Sequence, residues 1–230
     1  MALSKEELTR TIQQRVQQGR SFGRHPIWLK VADGVPTRER MKIFAQQFFL
    51  QVVEFPRAVS ALHTACPFPE ERRALAENLW EEETGAISGG APHPELFLRF
   101  SRAFDVPDEE MWGAKPLPGT AALIDWFELS TRNRDFIEGA AAITLAAEGQ
   151  VMGNFGPFAR KLEAHYGLTE EQVSFWDVHE IADADHSDVG DHIVIKFAST
   201  DAVQQRVLAA VDHSLAMWWQ FFDGMELAMA

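Results

Sequence analysis

The stretch HEIADADH, residues 179–186, places two histidines and several acidic side chains in a region whose apolar residues recur with a helical period. On a helix, His179, Asp183 and His186 stand at positions i, i+4 and i+7 and share one face. Imidazole and carboxylate groups in such proximity are able to bind metal ions. A solvated polar surface would carry the same residues, so the stretch alone leaves both interpretations open.

Helical periodicity extends from this stretch over nearly the whole chain, and period-two alternation rich in Val, Ile and Thr is almost absent. No shift in composition marks a second domain within the 230 residues. We therefore predict an all-α fold, a compact helical bundle formed by a single domain over residues 1–230. Clusters of Gly, Pro, Asp and Ser divide the chain into predicted helices at residues 4–20, 37–65, 69–84, 93–105, 118–132, 134–152, 155–167, 170–198 and 201–227.

Composition excludes several classes of function. The net charge of -13, with no basic stripe, would repel the phosphates of nucleic acid. The longest run of small apolar residues, GAAAITLAA (139–147), is far too short to span a bilayer, and the first residues do not resemble a signal peptide. The single cysteine, Cys66, has no partner for an intrachain disulfide. These features predict a cytoplasmic protein that binds neither nucleic acid nor membrane.

Two other segments carry metal-competent side chains. In NLWEEETGAISGGAPHPELF (78–97), glutamates close one predicted helix and His93 opens the next. Glu148 follows GAAAITLAA on a helix with almost no other charge nearby. Burying an unpaired carboxylate costs several kcal/mol or forces it to take up a proton, so Glu148 needs a partner if it lies inside. A metal ion, an arginine and exposure to solvent are the alternatives.

Charge arithmetic favours two metal ions if these segments converge. Three carboxylates would repel one another in a low-dielectric interior, whereas two divalent cations would leave the set with a net charge of +1. Mixed imidazole and carboxylate ligation suits iron or manganese better than zinc. The Glu-x-x-His pairs of ferritin-type di-iron bundles are missing, which disfavours that scaffold.

At these residues the chain resembles the heme-oxygenase-like di-iron oxidases. These are relatives of the chlamydial CADD protein, in the superfamily that includes TenA and the pyrroloquinoline-quinone synthesis oxidase. The resemblance runs over FAQQFFLQVVEFPRAVSALHTAC (44–66), NLWEEETG (78–85), the helix of Glu148, and HEIADADH. It implies a heme-oxygenase-like helical bundle with the metal ligands Glu82, His93, Glu148, His179, Asp183 and His186. Glu81 and Glu83 remain alternatives to Glu82.

The resemblance also implies a function. It implies a non-heme di-iron oxidase or oxygenase that activates O2 through a peroxo-bridged intermediate and oxidises a small substrate in a biosynthetic pathway. Known members N-oxygenate amines, cleave C–C bonds of amino acids or decarboxylate fatty acids, and an amine or amino acid is the expected substrate. The implied cofactor is a pair of Fe ions, with Mn as the alternative metal and an external electron donor as a further partner.

Two departures from the family bear on this expectation. The loop between Glu82 and His93 is longer than in the chlamydial type, and Trp28 stands where the branch that makes para-aminobenzoate has a tyrosine. Because Tyr166 is the only tyrosine, chemistry that consumes the protein's own tyrosine is disfavoured. A cofactor-independent oxidase of the quinone-synthesis type and a non-catalytic helical binding protein are the competing functions.

The pocket is expected to be aromatic, with Phe48, Phe55 and Trp176 among its walls. A substrate carboxylate would need a cation, for which the candidates are Arg57, Arg134 and Arg160. Helical phase places Glu180 and Asp185 too far toward solvent to support the metal ligands. The apolar end HSLAMWWQFFDGMELAMA (213–230) predicts either a homodimer contact or packing over the open side of the bundle.

Overall fold

The computed structural model describes residues 1–88, 90–180 and 193–230. Over these ranges the chain is helical and forms no β-strand. A π-helical turn, Ala141–Leu145, and a 3-10 turn, Glu148–Gln150, follow α8. The helices are α1 Lys5–Gly19, α2 Pro26–Ala32, α3 Arg38–Ala65, α4 Pro69–Thr84, α5 His93–Arg102, α6 Asp108–Trp112, α7 Pro118–Arg132, α8 Phe136–Ala140, α9 Phe155–Tyr166, α10 Glu170–Phe197 and α11 Asp201–Ala228.

Local signals in the sequence set most of these bounds. Ser4 and Glu7 form a capping box at the start of α1, and Thr169 and Gln172 form another at the start of α10. Gly85 ends α4 in the left-handed conformation, with a φ of 62° that favours glycine. The short helices α2 and α6 were not predicted, because one or two turns give too little periodicity to recognise.

Helix α3 packs mainly against α4, α5 and α7. Helix α7 lies between α3 and α11, while α10 packs against α5 and α9. The main core is unusually aromatic: Phe22, Phe48 and Trp176 are buried in a continuous network of ring contacts. This packing brings the end of α4, the start of α5, the segment after α8 and the middle of α10 around one cavity.

The aromatic residues of α11 pack into this core. Trp218, Phe221 and Phe222 are buried, and Trp219 is half-buried with its ring edge-on to His25. These side chains therefore cover the bundle, as one of the two alternatives predicted. A homodimer stays a prediction. No described helix is both long and apolar enough to cross a membrane.

Candidate metal centre

The last turn of α4 separates the roles of three consecutive glutamates. Glu83 is exposed, whereas Glu81 and Glu82 are buried. The Glu81 carboxylate accepts hydrogen bonds from the amides of Ile87 (2.7 Å) and Ser88 (3.2 Å) in the following loop. Burial alone would raise the pKa of Glu81, but hydrogen bonds from Ser88 and Ile87, together with nearby His93, lower it. Glu81 is therefore an ionised group that fixes the loop.

Glu82 is only 6% exposed and lies beside the first residue of α5. Its Oε2 atom is 2.8 Å from Nδ1 of His93, which is itself 2% exposed. Nε2 of the same imidazole is 3.6 Å from Oε1 of Glu81. Burial alone would lower the pKa of His93, but the carboxylates of Glu82 and Glu81 raise it.

His93 makes no hydrogen bond of acceptable geometry through either ring nitrogen with any part of the chain that the structure describes. The short distance to Glu82 is thus an approach without hydrogen-bond alignment. Two ligands at right angles around one ion, each bonded at ~2.1 Å, lie about 3 Å apart. The spacing of Glu82 and His93 matches that of adjacent ligands.

His179 enters the same place from α10. Its Nδ1 atom is 2.7 Å from the carbonyl oxygen of Phe175, one turn earlier. Because a carbonyl only accepts hydrogen bonds, Nδ1 carries the proton and Nε2 is the nitrogen with a lone pair. The ring centre is 4.4 Å from that of His93, and Glu82, His93 and His179 each offer a ligand atom within 4.8 Å of the others.

Glu148 faces the same cavity from the 3-10 turn and is 7% exposed. Its Oε1 atom accepts a hydrogen bond of 3.0 Å from Nδ2 of Asn78, while its buried Oε2 has no partner within the described ranges. Burial raises the pKa of Glu148 to about 8, an effect that the charge of Glu82 increases and that Asn78 and His93 oppose. Glu148 is not one of the three mutually close ligand groups formed by Glu82, His93 and His179.

The chemistry of this donor set fits a metal cofactor. Unpartnered buried polar atoms are costly, and they include both ring nitrogens of His93, which belongs to the cluster with Glu82 and His179, and Oε2 of Glu148, which faces the adjoining cavity. A cation would satisfy them together. Of the six predicted ligands, Glu82, Glu148 and His179 line one cavity, and His93 lies against Glu82 and His179 beside it. Asp183 and His186 lie outside the described residues.

The cavity beside these groups has a volume of about 50 Å³. Phe48 and Phe55 line it as predicted, together with Gln51 and Trp218. Trp176 is not part of its described lining and instead packs behind it against Phe48 and Phe155. A cavity of about 150 Å³ holds benzene, so this one accepts a smaller group unless it opens.

None of the three candidate arginines lies in the described lining of the cavity. Each has its cationic group in an ion pair with an acidic residue elsewhere. Arg57 pairs with Glu54 (3.0 Å), Arg134 with Glu138 (3.4 Å), and Arg160 with Glu163 (2.8 Å) and Asp177.

Glu180 was expected to lie too close to solvent to support the metal ligands, and the bonds that the described residues give it are to backbone amides and not to imidazoles. Its half-buried carboxylate accepts hydrogen bonds from the amides of Gly153 (2.8 Å), Phe155 (3.0 Å) and Gly156 (2.9 Å). Helical phase suggested solvent, but the chain that follows Glu148 descends onto this face of α10 and covers it. Glu180 thereby ties the segment of Glu148 to the helix of His179. Asp185 lies outside the described residues.

Sequence reasoning missed a second acidic and histidine cluster, formed by His25, Asp223 and Glu226. Nδ1 of His25 accepts from the amide of Ile27 (3.1 Å) at the start of α2, so Nε2 donates to Asp223 (3.0 Å). Both ring nitrogens are therefore in use. This histidine caps a helix and is a poor metal ligand.

The chain is similar to known proteins in sequence and in fold. A family model described as iron-containing redox enzyme matches residues 42–219 of the chain. The 4-aminobenzoate synthase of Nitrosomonas europaea is 31% identical over 230 residues, which cover 94% of this chain and 92% of that protein.

Two solved structures share the fold. One, from Shewanella denitrificans and described as having a heme oxygenase-like fold, matches with a TM-score of 0.78 at 16% identity, over 99% of this chain and 94% of that one. A CADD-like protein from Nostoc punctiforme matches with a TM-score of 0.77 at 17% identity, over 98% and 99% of the two chains. The predicted all-α, heme-oxygenase-like fold is confirmed.

Proposed function

The chain belongs to the family of iron-containing redox enzymes, and on that premise we propose that it is a non-heme di-iron oxidase or oxygenase that uses O2 to oxidise a small substrate. The observation that carries the proposal is the set formed by the buried Glu82 and His93 and the half-buried His179, with the unpartnered Oε2 of Glu148 facing the adjoining cavity. Asp183 and His186, one and two turns beyond His179, complete the proposed ligand set. Iron is the proposed metal, and Mn is the alternative.

The number of ions follows from charge. Glu82, Glu148 and Asp183 contribute three negative charges once they are ionised, and the three histidines bind metal as neutral ligands. One divalent ion would leave the buried set at -1, whereas two would leave it at +1 and open to an anionic oxygen species. Bound iron would supply the electrons that reduce O2.

The chain's own residues prepare this site. The carbonyl of Phe175 bonds Nδ1 of His179, which leaves Nε2 as the nitrogen that would bind a metal, a common arrangement for metal-binding histidines. Asn78 orients the Glu148 carboxyl through Oε1. Glu148 would lose its proton when a cation arrives, because the cation reverses the effect of burial on its pKa.

The proposed substrate is a small amine or amino-acid derivative that undergoes N-oxygenation or oxidative C–C cleavage. The relative from Nitrosomonas europaea is named 4-aminobenzoate synthase, which supports biosynthetic chemistry on a nitrogen-bearing compound. The small, aromatic-lined cavity favours such a substrate over a fatty acid. An external electron donor would supply any electrons that the substrate does not.

Iron binding by matched variants tests the proposal. Protein loaded anaerobically with Fe(II) should hold close to two irons per chain. Glu82→Gln and His179→Asn should lower the iron content strongly. The control variants Glu83→Gln and His165→Asn, which change an exposed glutamate and an exposed histidine, should leave it unchanged. Equal iron contents in all four variants, or activity that survives thorough chelation, would contradict the proposal, and the latter would favour a cofactor-independent oxidase.

Turnover identifies the reaction. The iron-loaded chain is supplied with O2, a reductant and a panel of amines, amino acids and fatty acids, and products are identified by mass spectrometry. We expect O2-dependent products from nitrogen compounds, and Glu82→Gln should abolish them.

A further inference from the structure

One polar side chain of the cavity has no role in binding metal. Gln51 lies on α3 and is 5% exposed. It lines the cavity with Phe48, Val52 and Phe55, which share its helix face at spacings of three and four residues. Its neighbours on α3 are therefore apolar, and its amide is the polar group that this helix adds to the cavity wall.

The Gln51 amide makes no hydrogen bond with any described residue. Gln47, one turn earlier and also buried, is the opposite case: its amide donates to the carbonyl of Lys115 (3.0 Å) and accepts from the Leu117 amide and the Thr120 hydroxyl (both 2.8 Å). The Gln51 amide is not among the fully buried polar groups that lack a partner, so it is accessible from the cavity that it lines. The hydrogen bonds of Gln47 account for its place in the fold, whereas no hydrogen bond within the described residues accounts for the polar group of Gln51.

Charge limits what Gln51 is able to bind. The described lining of the cavity contains the carboxylates Glu82 and Glu148 but neither lysine nor arginine. In the metal-free chain a ligand carboxylate in this cavity would lie near Glu82 and Glu148 without a cation, which is strongly unfavourable. Once the proposed ions are bound, a ligand carboxylate would bind to them rather than to the neutral amide of Gln51. A glutamine amide offers one acceptor and two donors, which suit an uncharged polar group.

We propose that Gln51 binds the substrate directly, and that the substrate end facing Gln51 carries an uncharged hydrogen-bonding group: a hydroxyl, an amide or an amine in its free-base form. The inference rests on the proposed function for the existence of a substrate. The part played by Gln51 is nevertheless measurable without iron or turnover.

Acetamide and acetate are suitable probes, because they have the same shape, differ in charge and are among the smallest molecules that carry an amide or a carboxylate. Binding is measured on the full, chelated chain through the ring-current shift of the probe's methyl protons against the aromatic walls. Metal-free protein is used because acetate would otherwise bind to iron. Gln51→Met is the test variant, Gln51→Leu is a second apolar variant, and Gln47→Met is the control from the same helix.

Acetamide should bind the unaltered chain and acetate should not at the same concentration. Gln51→Met and Gln51→Leu should weaken acetamide binding by about five- to tenfold, the equivalent of one hydrogen bond. Both should keep the melting temperature close to that of the unaltered chain, because no internal hydrogen bond is lost, whereas Gln47→Met should lower it. Equal acetamide binding in the Gln51 variants, or acetate binding as tightly as acetamide, would overturn the proposal.

The test is separate from that of the proposed function. Iron content decides whether the chain is a metalloenzyme, and Gln51→Met should leave it unchanged. A chain that binds iron but shows no Gln51-dependent acetamide binding keeps the proposed function and loses this inference. Selective acetamide binding by a chain without iron keeps the inference about the cavity and contradicts the di-iron proposal.

Discussion

Replacing Glu148 by glutamine should make the metal-free protein more stable at neutral pH. Burial raises the pKa of this carboxyl to about 8, against 4.5 for an exposed glutamate. The folded protein therefore keeps a proton that the unfolded chain releases as the pH rises above 4.5. The stability contributed by this group is fully present below pH 4.5 and is lost progressively as the pH rises to about 8.

The size of the effect follows from the two pKa values. At pH 7 the unfolded carboxyl lies 2.5 pH units above its pKa of 4.5, while the folded carboxyl remains mostly protonated. At 1.36 kcal/mol per unit, the metal-free protein loses about 3 kcal/mol relative to pH 4.5. Glutamine has a similar shape, is uncharged at every pH and keeps an oxygen to accept the hydrogen bond from Asn78. Glu148→Gln should therefore be about 3 kcal/mol more stable at pH 7.

Urea and thermal unfolding of chelated protein measure this difference. The melting temperature of the Glu148→Gln variant should exceed that of the unaltered chain by roughly 6–12 °C at pH 7 and match it at pH 4.5. Glu83→Gln is the control for a glutamate that is exposed, and it should show no pH-dependent difference.

Adding Fe(II) should reverse the order of stability. The unaltered chain gains stability from the bound metal, and the variant lacks one ligand for it. If the stability curves of the two metal-free proteins were parallel between pH 4.5 and 8, or if the variant were the less stable at pH 7, the Glu148 carboxyl would not be buried and protonated as argued.

Three further changes test how the fold supports the site. Glu81→Gln should lower the free energy of unfolding by about 1–3 kcal/mol at pH 7, because it weakens the hydrogen bonds to the loop. Because the pKa of Glu81 is lowered, this difference should shrink as the pH falls below 4.5, which urea unfolding would measure. Gly119→Ala should lower the free energy of unfolding by about 1–3 kcal/mol, because the Cβ of the alanine would clash with the carbonyl of Gln220 where α7 meets α11. A melting temperature equal to that of the unaltered chain would contradict this close approach. His25→Ala removes the cap of α2 and the hydrogen bond to Asp223, so calorimetry should show a free energy of unfolding lower by about 1–2 kcal/mol. The iron content should be unchanged, and a loss of iron would make this cluster a second metal site.

The sequence was most informative about the regular helices. Helix α4 over Pro69–Thr84 and α7 over Pro118–Arg132 have the bounds predicted from their proline starts and terminal signals. The predicted helix over residues 134–152 instead divides into α8, a π-helical turn and a 3-10 turn. Small residues such as those of GAAAITLAA are compatible with each of these conformations, so tertiary packing decides among them and composition does not.

The candidate ligand residues were only partly predictable from the sequence. Residue type, apolar surroundings and the family resemblance made Glu82, His93, Glu148 and His179 candidates, but the sequence left Glu81 and Glu83 open. Two observations favour Glu82: the loop occupies the carboxylate of Glu81, and Glu83 is exposed. Both are consequences of how the chain turns after α4.

The irregular turn that carries Glu148 links these observations. Ala147, Glu148 and Val151 line the cavity, while Gly149 and Met152 line a groove on the opposite side, so the segment is a wall one turn thick. Asn78 holds the Glu148 carboxyl, and Glu180 holds the amides that follow the wall. A π-helical turn rotates the residues that follow it around the helix axis, and this rotation determines that the Glu148 side chain faces the cavity. A fold selected only for stability would not direct a carboxyl into an apolar interior at a cost of about 3 kcal/mol. The cost is consistent with a position kept ready for a cation, because such an ion would convert the same burial into binding energy.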